Sequence, residues 1–311
     1  MIKKTLYFGN PAYLSLKNSQ LLIRLPEVVR NETLPDKFKA EAVRTIPIED
    51  IGVVVLDNSQ ITLTHGLIEK LLENNCALIT CDSKRMPYGM MLPLAGNTTQ
   101  TERYRHQIDA SLPLKKQLWQ QTVEAKIQNQ AHVLSTTTGA VVKNMHKWRI
   151  DVKSGDPDNY EARAAVYYWA NLFPDIDRFI RNREGLPPNN LLNYGYAVLR
   201  AVVARSIVAS GLLPTLGIHH RNKYNAYCLA DDIMEPYRPF VDKQVIEIME
   251  SSSDISEITK EHKGELLNIP VLDVIINEKR SPLMIAVQQT TASLAQCFMG
   301  EARKIKYPSF D

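Results

Sequence analysis

Cysteine is scarce in this 311-residue chain, with four residues and no pairing pattern. Cys76, Cys81, Cys228 and Cys297 form no Cys-x-x-Cys pair and no histidine spacing that suits zinc, which fits a reduced, cytoplasmic compartment. A Walker-type phosphate loop, a Rossmann glycine fingerprint and a Gly-x-Ser-x-Gly elbow are all missing, so nucleotide-cofactor and serine-hydrolase readings lose support. The start, Met1-Ile2-Lys3-Lys4-Thr5, runs into alternating strand-like residues rather than the apolar core of a signal peptide. Long uncharged apolar runs are also lacking. The most apolar stretch, Tyr196 to Leu213, contains Arg200 and Arg205 and stops at Pro214, so it reads as a buried helix and no membrane span is expected.

Charge of one sign is nearly balanced, at net +3, which is too little to imply a polyanionic partner. Its distribution is less even. Between Glu102 and Arg149 eight Lys and Arg face three Asp and Glu, whereas from Pro236 to Glu278 four basic residues face nine acidic ones. The basic stretch points to a polyanion or, equally, to a solvated helix face. What is present is ordinary for a soluble globular protein, 44% hydrophobic and 23% charged, and the length predicts two domains.

The first hundred residues read as β-rich. Leu6-Tyr7-Phe8, Tyr13 to Lys17 and Gln20 to Leu25 alternate with period two around the polar turn Asn18-Ser19. A polar insertion, Asn31 to Glu41, precedes the run Val43 to Ile48. Ile51 to Leu56 is a buried-strand run, Thr64 is placed to cap a short helix, and Ala77 to Thr80 is a further strand. After Pro93-Leu94-Ala95-Gly96-Asn97 the apolar period becomes helical and stays so to about residue 300. The expected fold class is α+β: a small N-terminal β-rich domain over 1–98, a larger all-α catalytic domain over 99–300, and a tail over 301–311.

The chemistry concentrates between Gly217 and Pro239. His219 and His220 stand a short loop ahead of Leu229-Ala230-Asp231-Asp232-Ile233-Met234-Glu235, in which Asp232 and Glu235 are spaced i, i+3 and fall on one helix face. Two carboxylates and an imidazole suit Mg²⁺ or Mn²⁺. Arg221, Lys223 and Arg238 around them suggest an anionic substrate such as a phosphodiester, and the segment reads as a metal-dependent phosphoryl-transfer site. Plainer readings stand beside this. Acidic residues favour a first helical turn for its dipole alone. Two adjacent histidines do not easily ligate one ion, and spacing does not choose between them. Arg238, between Pro236 and Pro239, can meet a carboxylate or a phosphate. Upstream, Asp158 and Glu161 match a capping-box spacing, which makes Glu161 a structural acid on local grounds.

Four motifs in order change that reading: Asp158-Asn159-Tyr160-Glu161-Ala162-Arg163-Ala164-Ala165, Asn193-Tyr194-Gly195-Tyr196, Gly211-Leu212-Leu213-Pro214 leading to Gly217-Ile218-His219-His220, and Leu229 to Pro239. Over nearly the whole chain they resemble the CRISPR-associated adaptation endonuclease/integrase family, which inserts new spacers into CRISPR arrays, and Asn222 to Tyr227 looks most like its type II variety. The resemblance implies metal ligands at Glu161, His220 and Glu235, with Asp232 adjoining. Many relatives carry Asp at the position of Glu235, so whether Asp232 or Glu235 binds directly is open. It further implies transesterification by a DNA 3′-hydroxyl, double-stranded DNA (protospacer and repeat) as substrate, and a homodimer through the β domain. Two dimers would be bridged by a small ferredoxin-like partner, with the type II effector nuclease and an accessory DNA-end-binding protein as further partners. The alternative is a non-catalytic DNA-binding or assembly subunit whose acidic cluster is structural.

Overall fold

The computed structural model describes residues 2–311; Met1, first in the strand-like start, lies outside them. The chain divides into two compact units, one up to Gly96 and one from Asn97 to Asp311.

Eight strands build the first unit: β1 (Lys4–Phe8), β2 (Ala12–Lys17), β3 (Gln20–Arg24), β4 (Arg44–Pro47), β5 (Ile51–Leu56), β6 (Ile61–Leu63), β7 (Ala77–Cys81) and β8 (Pro87–Met91). They form two four-stranded sheets, ordered β1-β5-β7-β8 and β4-β3-β2-β6. In the first sheet β5 pairs in parallel with both neighbours, and Ile51 to Val55 are all buried, which is why the run is apolar without alternation. In the second, β2 and β3 form an antiparallel hairpin. Its two turn residues, Asn18 and Ser19, both take positive φ (50° and 57°), the twist that suits a two-residue hairpin. Besides the short helices α1 (Pro26–Val29) and α2 (Asp36–Glu41), the unit has α3 (His65–Glu73), which buries Leu67 and Leu71 among Leu14, Leu21, Ile51, Val54 and Leu78. Thr64 stands at the cap position of α3 in an extended conformation, yet its hydroxyl makes no capping bond.

Helices make up most of the second unit: α4 (Gln100–Ile108), α5 (Leu112–Val133), α6 (Lys143–Asp151), α7 (Tyr160–Leu172), α8 (Asn189–Ala209), α9 (Cys228–Met234), α10 (Arg238–Ser251), α11 (Lys260–Leu266) and α12 (Leu283–Met299). Among the described residues α8 alone is long and apolar enough to cross a membrane; most of it is instead buried inside this unit, packed by α9 to α12. Leu191, Leu192, Leu199 and Ile207 are fully buried, each contributing about 1.5–3 kcal/mol. Gly195 lets α10 approach, since a Cβ there would lie 2.5 Å from Val241 Cγ1.

One element departs from the helical reading. β9 (Asp273–Ile276) and β10 (Lys279–Pro282) form a hairpin turned at Asn277 and Glu278, again at positive φ (51° and 62°). Residues beyond Gly300 run back along the helices. Gln121 Oε1 accepts from the Ile305 amide at 2.8 Å, the Tyr307 and Thr122 hydroxyls lie 2.7 Å apart, and the Phe310 ring stacks on Phe240 at 4.0 Å.

Candidate active site

The turn from Gly217 to His220 is built around one carboxylate. Asp232, on α9, is wholly buried, and its oxygens accept from the His219 amide at 3.0 Å and the His220 amide at 3.2 Å. The His220 ring closes the same contact, Nδ1 to Asp232 Oδ1 at 2.5 Å. A carboxylate only accepts, so the Nδ1 proton stays on the ring and Nε2 is the nitrogen left for a ligand. Only glycine fits at 217: a Cβ would come within 2.4 Å of the His220 carbonyl oxygen and 2.6 Å of Asp232 Oδ2. His219 turns elsewhere, its ring stacked on Trp119 of α5 at 4.1 Å. The bond to Asp232 raises the His220 pKa above its ordinary value despite burial, whereas burial lowers that of His219.

Asp232 and Glu235 therefore serve different partners, although three residues apart. Glu235 begins the 3-10 turn after α9, buried against α5. Its Oε2 lies 2.6 Å from Lys126 Nζ and its Oε1 lies 3.1 Å from Arg238 Nη2. Burial alone would raise its pKa, but Arg238 and then Lys126 hold it down at about 2. Arg238 thus meets a carboxylate, with its guanidinium 4.9 Å from the Tyr196 ring centre. Asp231 points away from both, accepting from Arg200 and Asn225 at 2.7 Å each.

Glu161 reaches the same ammonium from α7, through a short bond between its Oε1 and Lys126 Nζ. It is free to do so because the capping box expected with Asp158 does not form. Asp156 caps α7 instead, its two oxygens accepting from the Tyr160 and Glu161 amides at 2.9 Å each, with Asn159 at φ 55° between. Asp158 faces Lys153 at 3.5 Å. Lys126 itself is buried; burial would lower its pKa, but Glu235 and Glu161 raise it.

Among the described residues, no three His, Cys, Asp or Glu side chains stand close enough together to hold a metal ion as they are. Glu161 and Glu235 nevertheless converge on one cation, and His220 offers Nε2, which is the donor set a small divalent ion takes. The residues fit such an ion provided the ammonium between the carboxylates gives way. Beside His220 opens a groove of about 690 Å³ lined by Lys115, Arg221, Lys223 and Tyr224.

The sequence profile described as "CRISPR associated protein Cas1" matches residues 7–278. This chain belongs to the Cas1 family. A CRISPR-associated endonuclease Cas1 from Neisseria meningitidis serogroup C (strain 8013) is 35% identical over 310 residues, covering 99% of this chain and 96% of the relative. Among solved structures, a casposase bound to integration product superposes with TM-score 0.76 at 20% identity, covering 98% of this chain and 92% of that one. A Cas6-RT-Cas1–Cas2 complex gives TM-score 0.71 at 18% identity, over 97% of this chain and 35% of that one. At these identities the superpositions establish the Cas1 fold.

Within that fold, three site features escaped the sequence reading. Lys126 belongs by sequence to the basic stretch from Glu102 to Arg149, yet it lies between Val123 and Ile127 on the buried face of α5; its place in that apolar period is the available signal. Trp119 shares this face. Asp242 carries no signal in the sequence. Buried at 1% exposure, it accepts from Tyr168 at 2.8 Å and, through a short bond, from Tyr196.

Proposed function

We propose that this chain is a divalent-metal-dependent DNA endonuclease and integrase of CRISPR adaptation, joining the 3′-hydroxyl of a short DNA fragment to a phosphodiester at the repeat boundary. The observation that carries the reading is the convergence of Glu161 and Glu235 on one cation position, with His220, held by Asp232, close enough to act on the charge of Glu235. The names of the similar proteins, an endonuclease and a casposase bound to integration product, support it.

Glu161, His220 and Glu235 would hold Mg²⁺ or Mn²⁺, and Asp232 acts through His220 rather than as a direct ligand. When bound, the ion supplies Lewis-acid polarisation of the phosphoryl oxygen and offsets charge on the attacking or leaving oxygen. The chain's own residues do the positioning. Asp232 keeps the Nδ1 proton in place so that Nε2 faces a ligand, Arg238 and Tyr196 orient Glu235, and Lys115, Arg221 and Lys223 hold phosphates along the groove. The N-terminal unit would form the homodimer, with two dimers bridged by a small ferredoxin-like partner; the similar complex that contains Cas2 supports a partner of that kind.

One observation favours the alternative of a non-catalytic subunit: both glutamates already have cationic partners inside the chain. Glu161→Ala and His220→Ala decide between the two. Each is expected to abolish strand transfer into a repeat-containing duplex while circular dichroism and DNA binding persist, and normal integration by both variants overturns the enzyme reading.

A further inference from the structure

Lys126 is an unusual neighbour for two candidate ligands. α5 delivers its ammonium to the point where Glu161, from α7, and Glu235, from the turn after α9, come together. The residue is 7% exposed, and a lysine so buried is tolerated only when its charge is matched. Two carboxylates match it, with Arg238 supplying a second positive charge on Glu235. Without a cation between them the two carboxylates would repel. Glu235 Oε2 lies 2.6 Å from Lys126 Nζ, and a carboxylate oxygen that meets one donor keeps a second lone pair for another cation.

We propose that Lys126 is the built-in occupant of the divalent-ion position: its ammonium holds Glu161 and Glu235 together in the metal-free protein and withdraws when the metal binds. The inference rests on the metal reading above. Lysine suits this part, because it is a point charge on a flexible four-carbon stem, whereas Arg238 is anchored by its packing on Tyr196. The Glu161 side chain is 28% exposed, against 7% for Glu235, so the way in for an ion and out for the ammonium is on the Glu161 side. Only the fraction of molecules with the ammonium withdrawn can take the ion, and the apparent metal affinity is reduced by that fraction.

The test is a calorimetric Mn²⁺ titration of the full chain, free of DNA, comparing the unsubstituted protein with Lys126→Met and Lys126→Gln. Both variants are expected to bind Mn²⁺ about tenfold tighter or more. Their metal-free melting temperatures should be lower and their Mn²⁺-induced rise larger. Affinity equal to or weaker than that of the unsubstituted protein, in both variants, overturns the proposal and leaves the metal site standing. No Mn²⁺ uptake by any of the three overturns the metal reading, and the proposal with it. Should the variants fail to fold, reductive methylation of the unsubstituted protein decides. Lys126 is expected to resist labelling in EDTA and to be labelled at saturating Mn²⁺, and protection that persists with Mn²⁺ bound overturns the proposal.

Discussion

Asp232 receives the His220 ring nitrogen Nδ1 at 2.5 Å while being itself wholly out of solvent. Because the same carboxylate also takes the backbone amides of His219 and His220, ring and main chain are tied to one buried charge. The bond raises the His220 pKa, so the doubly protonated ring, which cannot ligate through Nε2, persists to higher pH than in a free imidazole.

Strand transfer at limiting metal should accordingly fall as pH drops and the His220 ring, whose metal-free pKa is raised, takes up its second proton. Asp232→Asn should move the midpoint of that fall down and reduce the rate about 10–100-fold. Rate–pH profiles of both proteins check this, and a profile of the unsubstituted protein that is flat from pH about 5 to 8 contradicts it.

Glu235 and Glu161 should differ in what they do for stability. Glu235, buried and held at a pKa of about 2, contributes stability that is present above the ordinary carboxylate value and is lost as pH falls towards 2. Glu235→Ala strands Lys126 and Arg238 near each other and should cost about 3–5 kcal/mol at pH 7. Glu161→Ala, at a side chain 28% exposed, should cost clearly less. Urea unfolding of the two variants checks the order, and equal losses refute it.

Asp242 should show the opposite slope. Burial pushes its carboxyl up to about 6, although the tyrosine bonds pull it down. Between the unfolded value and 6 the folded protein binds a proton that the unfolded chain does not, so this group adds stability as pH falls through that window and loses it as pH rises. Relative to Asp242→Asn, the unsubstituted protein should gain up to about 3 kcal/mol between pH 7 and pH 4. A constant difference in unfolding free energy across that range would sink this assignment.

Two glycines separate packing from site geometry. Gly217→Ala drives a methyl group into the His220 carbonyl and Asp232, so strand transfer should drop at least about tenfold at temperatures where the protein stays folded. Gly195→Ala meets Val241 instead and should lower stability by about 1–3 kcal/mol with transfer largely kept. Activity assays well below each melting temperature distinguish the two; equal activity losses would show that the 217 turn has no special part.

The elements were largely legible along the chain. The apolar run Ile51 to Leu56 is the strand β5 residue for residue, and the change of period after Asn97 marks where helices take over. Local rules were less secure where a neighbouring residue could substitute. Asp158 and Glu161 have capping-box spacing, but Asp156, displaced by a left-handed Asn159, reaches both amides first. The hairpin of β9 and β10 was hidden because Val274, Ile275 and Ile276 form a run too short to tell a strand from a helix.

Residue type and spacing offered Asp232, Glu235 and a histidine as a candidate metal site, and Glu161 joined them only through the resemblance of the ordered motifs to the family. Which histidine is tied to the buried carboxylate, and which cation meets the glutamates, depended on helices folding onto one another. Trp119 on α5 captures the His219 ring and Asp232 on α9 captures His220. Lys126 comes to Glu161 from 35 positions away in the chain. Periodicity states which face of a helix is apolar. It carries no record of which faces meet, and the charge on a buried lysine is settled only where they do.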